Sequence, residues 1–132
     1  MNGEDPFGAR LAQELRESGQ AVRQYRVPDQ WTVDRHGVRG EIQGAPFQSS
    51  LAGRFNASNI QCAAELALSL GVSSGVVAQG IEALAFAPGR MQAVPNPHGL
   101  AVWVDYAHKP DALEKVLGNL QDERRRGRLW TV

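Results

Sequence analysis

Val104-Asp105-Tyr106-Ala107-His108-Lys109-Pro110-Asp111-Ala112-Leu113 changes structural period within a single turn of chain. Before it, Leu100 to Val104 is an almost unbroken apolar run, the pattern of a strand buried on both faces. After it, Pro110 and Asp111 open a helix. Proline is tolerated in a first helical turn, and a carboxylate there meets the positive end of the helix dipole. Leu113, Val116, Leu117 and Leu120 recur at helical spacing and predict a face packed back onto the sheet. Strand, loop and helix in this order is an α/β arrangement. Ligands of open α/β sheets bind outside the carboxyl ends of the strands, where Asp105, Tyr106, Ala107 and His108 stand. Spacing alone also allows a plainer reading, with Asp105 a helix cap and His108 a surface residue.

Toward the N-terminus, Asp5-Pro6 caps a helix carrying Phe7, Leu11 and Leu15 and ended by Gly19. Residues 21–51 hold short alternating pieces, Trp31-Thr32-Val33 and Glu41-Ile42-Gln43, set apart by Gly37, Gly40 and Gly44; they predict small strands and turns. A helix is expected from about Ser58 to Leu70, with Ile60, Ala63, Ala67 and Leu70 on one face and Gly71 ending it. Another is expected from about Ser74 to Leu84, carrying Val76, Val77, Ile81 and Leu84. Pro88-Gly89 breaks the chain and is the predicted domain boundary. Leu129-Trp130-Thr131-Val132 reads as the opening of a further buried strand.

Composition narrows the function classes. At 42% hydrophobic residues the chain has enough for a core and too many for disorder. Lys plus Arg and Asp plus Glu are both 14, so no net field draws it to nucleic acid or to an anionic membrane. Arg124-Arg125-Arg126 reads as a solvated helix end complementing the dipole. The single cysteine, Cys62, excludes an intramolecular disulfide, suits a reducing compartment and is expected to be a small buried residue. No signal-peptide pattern and no long uncharged apolar run is present, so a cytoplasmic setting is expected. His36 and His98 lie in turns with no metal-ligand spacing to join them.

Three segments carry a family resemblance. Asp105 to Leu113 resembles the D-Y-A-H-T-P-D-A-L segment of the Mur ligases of the MurE type, which add the third amino acid of the peptidoglycan peptide. Leu51-Ala52-Gly53-Arg54-Phe55-Asn56-Ala57-Ser58-Asn59 resembles the family's L-x-G-x-F-N-x-x-N, and Ala87-Pro88-Gly89-Arg90-Met91 its V-P-G-R-M linker. Asn2-Gly3-Glu4-Asp5 is a weaker echo of N-x-D-D. Lys109 stands where threonine is commoner, and Gln92 where glutamate is.

The resemblance implies an α/β fold in two incomplete parts. Residues 1–88 would be the end of a P-loop-type central ATPase domain, and residues 89–132 the start of a Rossmann-like C-terminal domain. With 132 residues, about the size of one domain, and no G-x-x-x-x-G-K-[ST] anywhere, the chain is expected to be an internal piece of such a ligase. The activity implied is ATP-dependent. The free carboxylate of UDP-MurNAc-L-Ala-D-Glu is phosphorylated, and the acyl phosphate is attacked by the amino group of meso-diaminopimelate or lysine. Phosphate-loop lysine, Mg²⁺ ligands and a modified lysine are expected upstream of Met1, which leaves here the other wall of the ATP site.

Residue by residue, the resemblance puts Asn56 and Asn59 near the adenine, where an amide offers both donor and acceptor; Asn56 also reads as a helix cap. Arg90 would reach the nucleotide phosphates or ribose, or else be a solvated linker charge. Asp105 would accept from ribose hydroxyls, and His108 would stack on the base or bond to the nucleotide. Tyr106 is read as packing. Two other readings stay open: a folylpolyglutamate or cyanophycin synthetase on the same fold, and a non-enzymatic module with half a nucleotide site.

Overall fold

A computed structural model describes residues 1–122 and 127–132; Arg124, Arg125 and Arg126 lie outside the described residues. The chain forms helix α1 (Pro6–Glu17), strands β1 (Thr32–Asp34), β2 (Gly37–Ile42) and β3 (Ala45–Ser49), helices α2 (Arg54–Ser69) and α3 (Ser74–Ala83), strands β4 (Gln92–Ala93) and β5 (Trp103–Val104), and helix α4 (Pro110–Asp122). The class is mixed α/β with two small antiparallel sheets, β1-β2-β3 and β4-β5. The one parallel pairing among the described residues is an isolated bridge between Asn2 and Tyr25.

The core lies between the three-stranded sheet and helices α2 and α3, and the sequence periods show why. Along β2, Val38 and Ile42 are buried while Arg39 and Glu41 face out, the alternation of a half-buried strand. Ala57, Ile60 and Ala64 of α2 and Val77 and Ala78 of α3 cover that face. Gly40 does not separate two strands, as its sequence context predicts, but lies inside β2. A Cβ there would fall 2.3 Å from the Trp31 ring, so the missing side chain leaves the room the indole occupies against the strand. Trp31 meets Phe47 edge-on at 4.8 Å and donates from Nε1 to the Glu41 carbonyl at 3.3 Å.

Both hairpin turns follow from local chemistry. Ile42 pairs with Ala45 across Gln43 and Gly44, whose φ angles of 48° and 83° make a two-residue turn with the twist that antiparallel strands require. Between β1 and β2, Asp34 Oδ1 accepts from the His36 N–H at 2.7 Å and Oδ2 from Arg39 at 2.7 Å. The His36 backbone hydrogen bond, with Arg39 beside it, holds the Asp34 carboxyl below its ordinary value of 3.8. A depressed value stabilises the fold above that ordinary pKa and ceases to do so as pH falls through the lower folded one. Asp34→Asn should therefore flatten the loss of Tm on acidification below about pH 4, measured by melting both proteins across a pH series.

Several expectations are corrected. Helix α2 begins at Arg54, ahead of Ser58, with Gly53 as its N-cap. Its buried face runs through Ala57, Ile60 and Ala64, while Leu70 is 83% exposed. On α3, Val76 and Leu84 are also exposed. The run from Leu100 to Val104 is not buried on both faces. Only Trp103-Val104 is strand, paired to β4 alone, and Leu100, Val102 and Val104 are exposed, since nothing among the described residues packs over them. Leu129 to Val132 forms no strand, and Trp130 is 78% exposed. Cys62 is half-buried rather than buried. Helix α4 starts at Pro110 as its sequence predicts, with Asp111 in the first turn. The Lys109 carbonyl accepts from Leu113 N–H, so a lysine occupies the place where a threonine hydroxyl would cap.

Candidate functional site

The linker after α3 and the loop after β5 are locked together by backbone groups and one carboxylate. Tyr106 N–H donates to the Gly89 carbonyl at 2.8 Å. Asp105 Oδ2 accepts from Met91 N–H at 2.9 Å, and Oδ1 from Ala107 N–H at 2.8 Å. Met91 is buried and sits at φ 46°, a left-handed conformation that a side-chain-bearing residue keeps only when its surroundings hold it. The Asp105 carboxylate is that hold. Gly89 N–H donates to Gln92 Oε1 at 3.3 Å, so the glutamine in place of glutamate still supplies an oxygen acceptor. Arg90 is carried on this pinned turn, its own N–H bonded to Ala87 O at 3.1 Å.

The pinning brings three separated segments to one place. A cleft of about 230 Å³ is lined by Phe55 and Asn59 from α2, Arg90 from the linker, Asp105 and Ala107 from the loop, and Ala112, Lys115 and Val116 from α4. It adjoins a larger, open cavity of about 570 Å³ through Phe55, Asn59 and Lys115. The smaller volume is below the roughly 300–1,000 Å³ usual for ligand sites, whereas the two adjoining spaces together fall in that range.

Its chemistry is mixed in a useful way. Phe55 offers an aromatic face, Asn59 an amide, and Arg90 and Lys115 two cations against the single carboxylate of Asp105. Neither cation makes a side-chain ion pair or hydrogen bond among the described residues. Asp105 uses one lone pair on each oxygen for the backbone and keeps others for a ligand. The smaller cleft thus carries one more cation than carboxylate, while Glu4, Glu114 and Arg54 line the larger cavity beside it. An excess cation beside an aromatic ring and an amide suits an anionic, planar-headed ligand.

Two residues singled out in the sequence stand apart from the cleft. Asn56 is only 1% exposed; its Nδ2 donates to Ala52 O at 2.8 Å and its Oδ1 accepts from Asn59 Nδ2 at 3.5 Å. It is not the N-cap of α2, which is Gly53. His108 is exposed beside Tyr106, ring centroids 5.2 Å apart, with Nδ1 2.9 Å from the Tyr106 carbonyl. A carbonyl only accepts, so Nδ1 carries a proton there. Tyr106 itself is 73% exposed, so its ring packs on His108 rather than in a core. His36 and His98 are exposed, and no group of three His, Cys, Asp or Glu among the described residues can hold a metal ion. No described helix is long and apolar enough to cross a membrane.

Sequence reasoning missed Phe55, Lys115 and Val116 as cleft residues. Phe55 lies inside a segment already quoted, next to Asn56. For the other two a faint signal exists: Ala112, Lys115 and Val116 follow one another at i, i+3, i+4 and so share a helix face.

Residues 89–132 match the family described as Mur ligase, glutamate ligase domain. The whole chain is 38% identical to the UDP-N-acetylmuramoyl-L-alanyl-D-glutamate--2,6-diaminopimelate ligase of Geobacter metallireducens and 39% identical to that of Geobacter sulfurreducens. In both alignments 100% of the chain is covered and 27% of the relative. The ligase of the same name from Alkalilimnicola ehrlichii is 42% identical over 67% of the chain and 18% of its own length. The chain thus spans about a quarter of the length of the curated relatives it matches.

Proposed function

Because this chain belongs to the Mur ligase family, we propose that its cleft is one wall of the ATP site of a peptidoglycan amino-acid ligase. In this reading the complete protein phosphorylates the free carboxylate of UDP-MurNAc-L-Ala-D-Glu with ATP. The amino group of meso-diaminopimelate or lysine attacks the acyl phosphate, the amide forms and phosphate leaves. The reaction takes place in the cytoplasm, with no nucleic acid and no membrane as partner. Such phosphoryl transfer asks the protein mainly for positioning and charge neutralisation.

One observation carries the proposal: Asn59, Arg90 and Asp105, from three segments far apart in sequence, line a single cleft. Asn59 meets the adenine edge with its amide, and Asn56 beneath it fixes the orientation of that amide. The ring of Phe55 gives the base an apolar surface. Asp105 accepts from the ribose hydroxyls with its remaining lone pairs, and Arg90 pairs with phosphate oxygens, for which a guanidinium fork is well shaped. His108, outside the cleft, has the weaker role. Residues 1–88 belong in this reading to the central ATPase domain and residues 89–132 to the C-terminal domain, so that the site lies where they meet. Mg²⁺ is held by other parts of the ligase in this reading.

The complete reading frame, purified and supplied with Mg²⁺-ATP, should release phosphate only when UDP-MurNAc-L-Ala-D-Glu and a diamino acid are both present. ATP turnover independent of both substrates, or none with either diamino acid, would refute the proposal. Purified by itself, the 132-residue chain should release no phosphate above buffer, because it contains no phosphate loop. The electrostatic contributions it lacks are worth several kcal/mol of barrier each. Mg²⁺-dependent turnover by this chain alone would contradict that.

A further inference from the structure

Lys115 is the one charged residue of the cleft that none of the recognised segments contains. It stands in the middle of α4, past the Asp105–Leu113 segment, on the face it shares with Ala112 and Val116. Together with Phe55 and Asn59 it lines both the cleft and the larger cavity beside it, so it stands at the passage between the two. A lysine one turn after Asp111 would ordinarily be expected to settle on that aspartate as an i,i+4 pair. It does not: among the described residues Lys115 pairs with neither Asp111 nor Glu114, nor with any other carboxylate. Glu4 and Glu114 also line the larger cavity, but neither forms an ion pair with Lys115 among the described residues. An ammonium held by a helix where the two spaces meet therefore offers a cation to an anion entering the cleft.

Resting on the nucleotide reading above, we propose that Lys115 is a further nucleotide-binding residue, which contacts the anionic tail of the triphosphate from the α4 side while Arg90 contacts it from the linker. The division of labour follows from the two side chains. The guanidinium is planar and set on a pinned turn, and so fixes geometry; the ammonium is a point charge on a flexible stem and follows the tail as it moves. Phe55 and Asn59 face the base, so a ligand without phosphates has no use for Lys115. This gives the assignment a signature that packing would not mimic.

The test compares ATP with adenosine, titrated by NMR into the full-length ligase as wild type, Lys115→Met, Lys115→Gln and Lys115→Arg. Lys115 is exposed, so neither neutral variant removes core packing. Both neutral variants should raise the ATP Kd about tenfold, the size of one lost charge-assisted hydrogen bond, and leave adenosine binding unchanged. Lys115→Arg should keep most of the ATP affinity. Unchanged ATP binding in both neutral variants, or equal weakening of ATP and adenosine, would overturn the role of Lys115 and leave the nucleotide reading standing. Failure of the wild-type ligase to bind ATP would overturn both.

Discussion

Asp105→Ala in the full-length ligase should raise the apparent KM for ATP at least about tenfold and lower kcat as well. On the proposed nucleotide reading, the alanine removes a charged acceptor from the ribose hydroxyls, at roughly 1.5–3 kcal/mol per hydrogen bond, and about 1.4 kcal/mol is already a factor of ten. It also releases Met91 N–H and Ala107 N–H, each bonded to one carboxylate oxygen at 2.9 and 2.8 Å. Met91 is then free to leave its left-handed conformation, and Arg90, its neighbour on the pinned turn, loses its aim. Loss of ground-state binding alone would move KM; misplacement of Arg90 moves kcat too. Asp105→Asn keeps one acceptor oxygen of two and should fall between wild type and alanine. The KM for the UDP-sugar peptide should change little, and His108→Ala should affect ATP use less than Asp105→Ala, since His108 lies outside the cleft. Varying each substrate in turn decides the matter. Unchanged ATP parameters in Asp105→Ala would reduce Asp105 to a loop fastener.

Gly37→Ala should be the most damaging small substitution in the sheet. Gly37 opens β2 at φ 138°, a backbone region nearly closed to residues with a Cβ. A Cβ built there would stand 1.8 Å from the Ser49 carbonyl oxygen, a backbone atom of β3 that cannot rotate away. The edge of the sheet must open, and the pairing of Val38 with Ser49 goes with it. A loss of about 3 kcal/mol or more is expected, at the upper end of overpacking effects. At Gly44, by contrast, a Cβ would meet no atom within 4 Å, so Gly44→Ala costs only its turn strain, about 1 kcal/mol. Urea titration of the two variants beside wild type measures the difference; equal midpoints would contradict it.

These two positions mark how far the sequence could be read. Helix ends announced by local chemistry were legible: Asp5-Pro6 and Gly19 around α1, and Pro110-Asp111 at α4. The start of α2 was not, because Gly53 caps it through backbone shape, without a side-chain hydrogen bond to betray it. Strand β3 was hidden by Pro46, which sits on the outward face and breaks the apolar alternation. At Gly40 the glycine reads as a break only until the Trp31 ring is seen to need its space. The apolar run at Leu100–Val104 records a demand for covering neighbours that the described residues do not supply. In the site, the candidate residues were legible one by one, but their meeting was not. The approach of Arg90 to Asp105 depends on the pairing of β4 with β5 and on hydrogen bonds to backbone N–H groups, which no residue type reveals. Nor does sequence distinguish a lysine paired along its helix from one that, like Lys115, makes no ion pair among the described residues.

Photolabelling of the full-length ligase with 8-azido-ATP, followed by peptide mapping, tests most directly whether this cleft is the nucleotide site. The label should fall on peptides holding the start of α2, around Phe55 and Asn59, or the loop and helix from Asp105 to Val116, and excess ATP should protect them. Labelling that excess ATP does not suppress, or protected labelling confined to peptides outside this chain, would contradict the assignment.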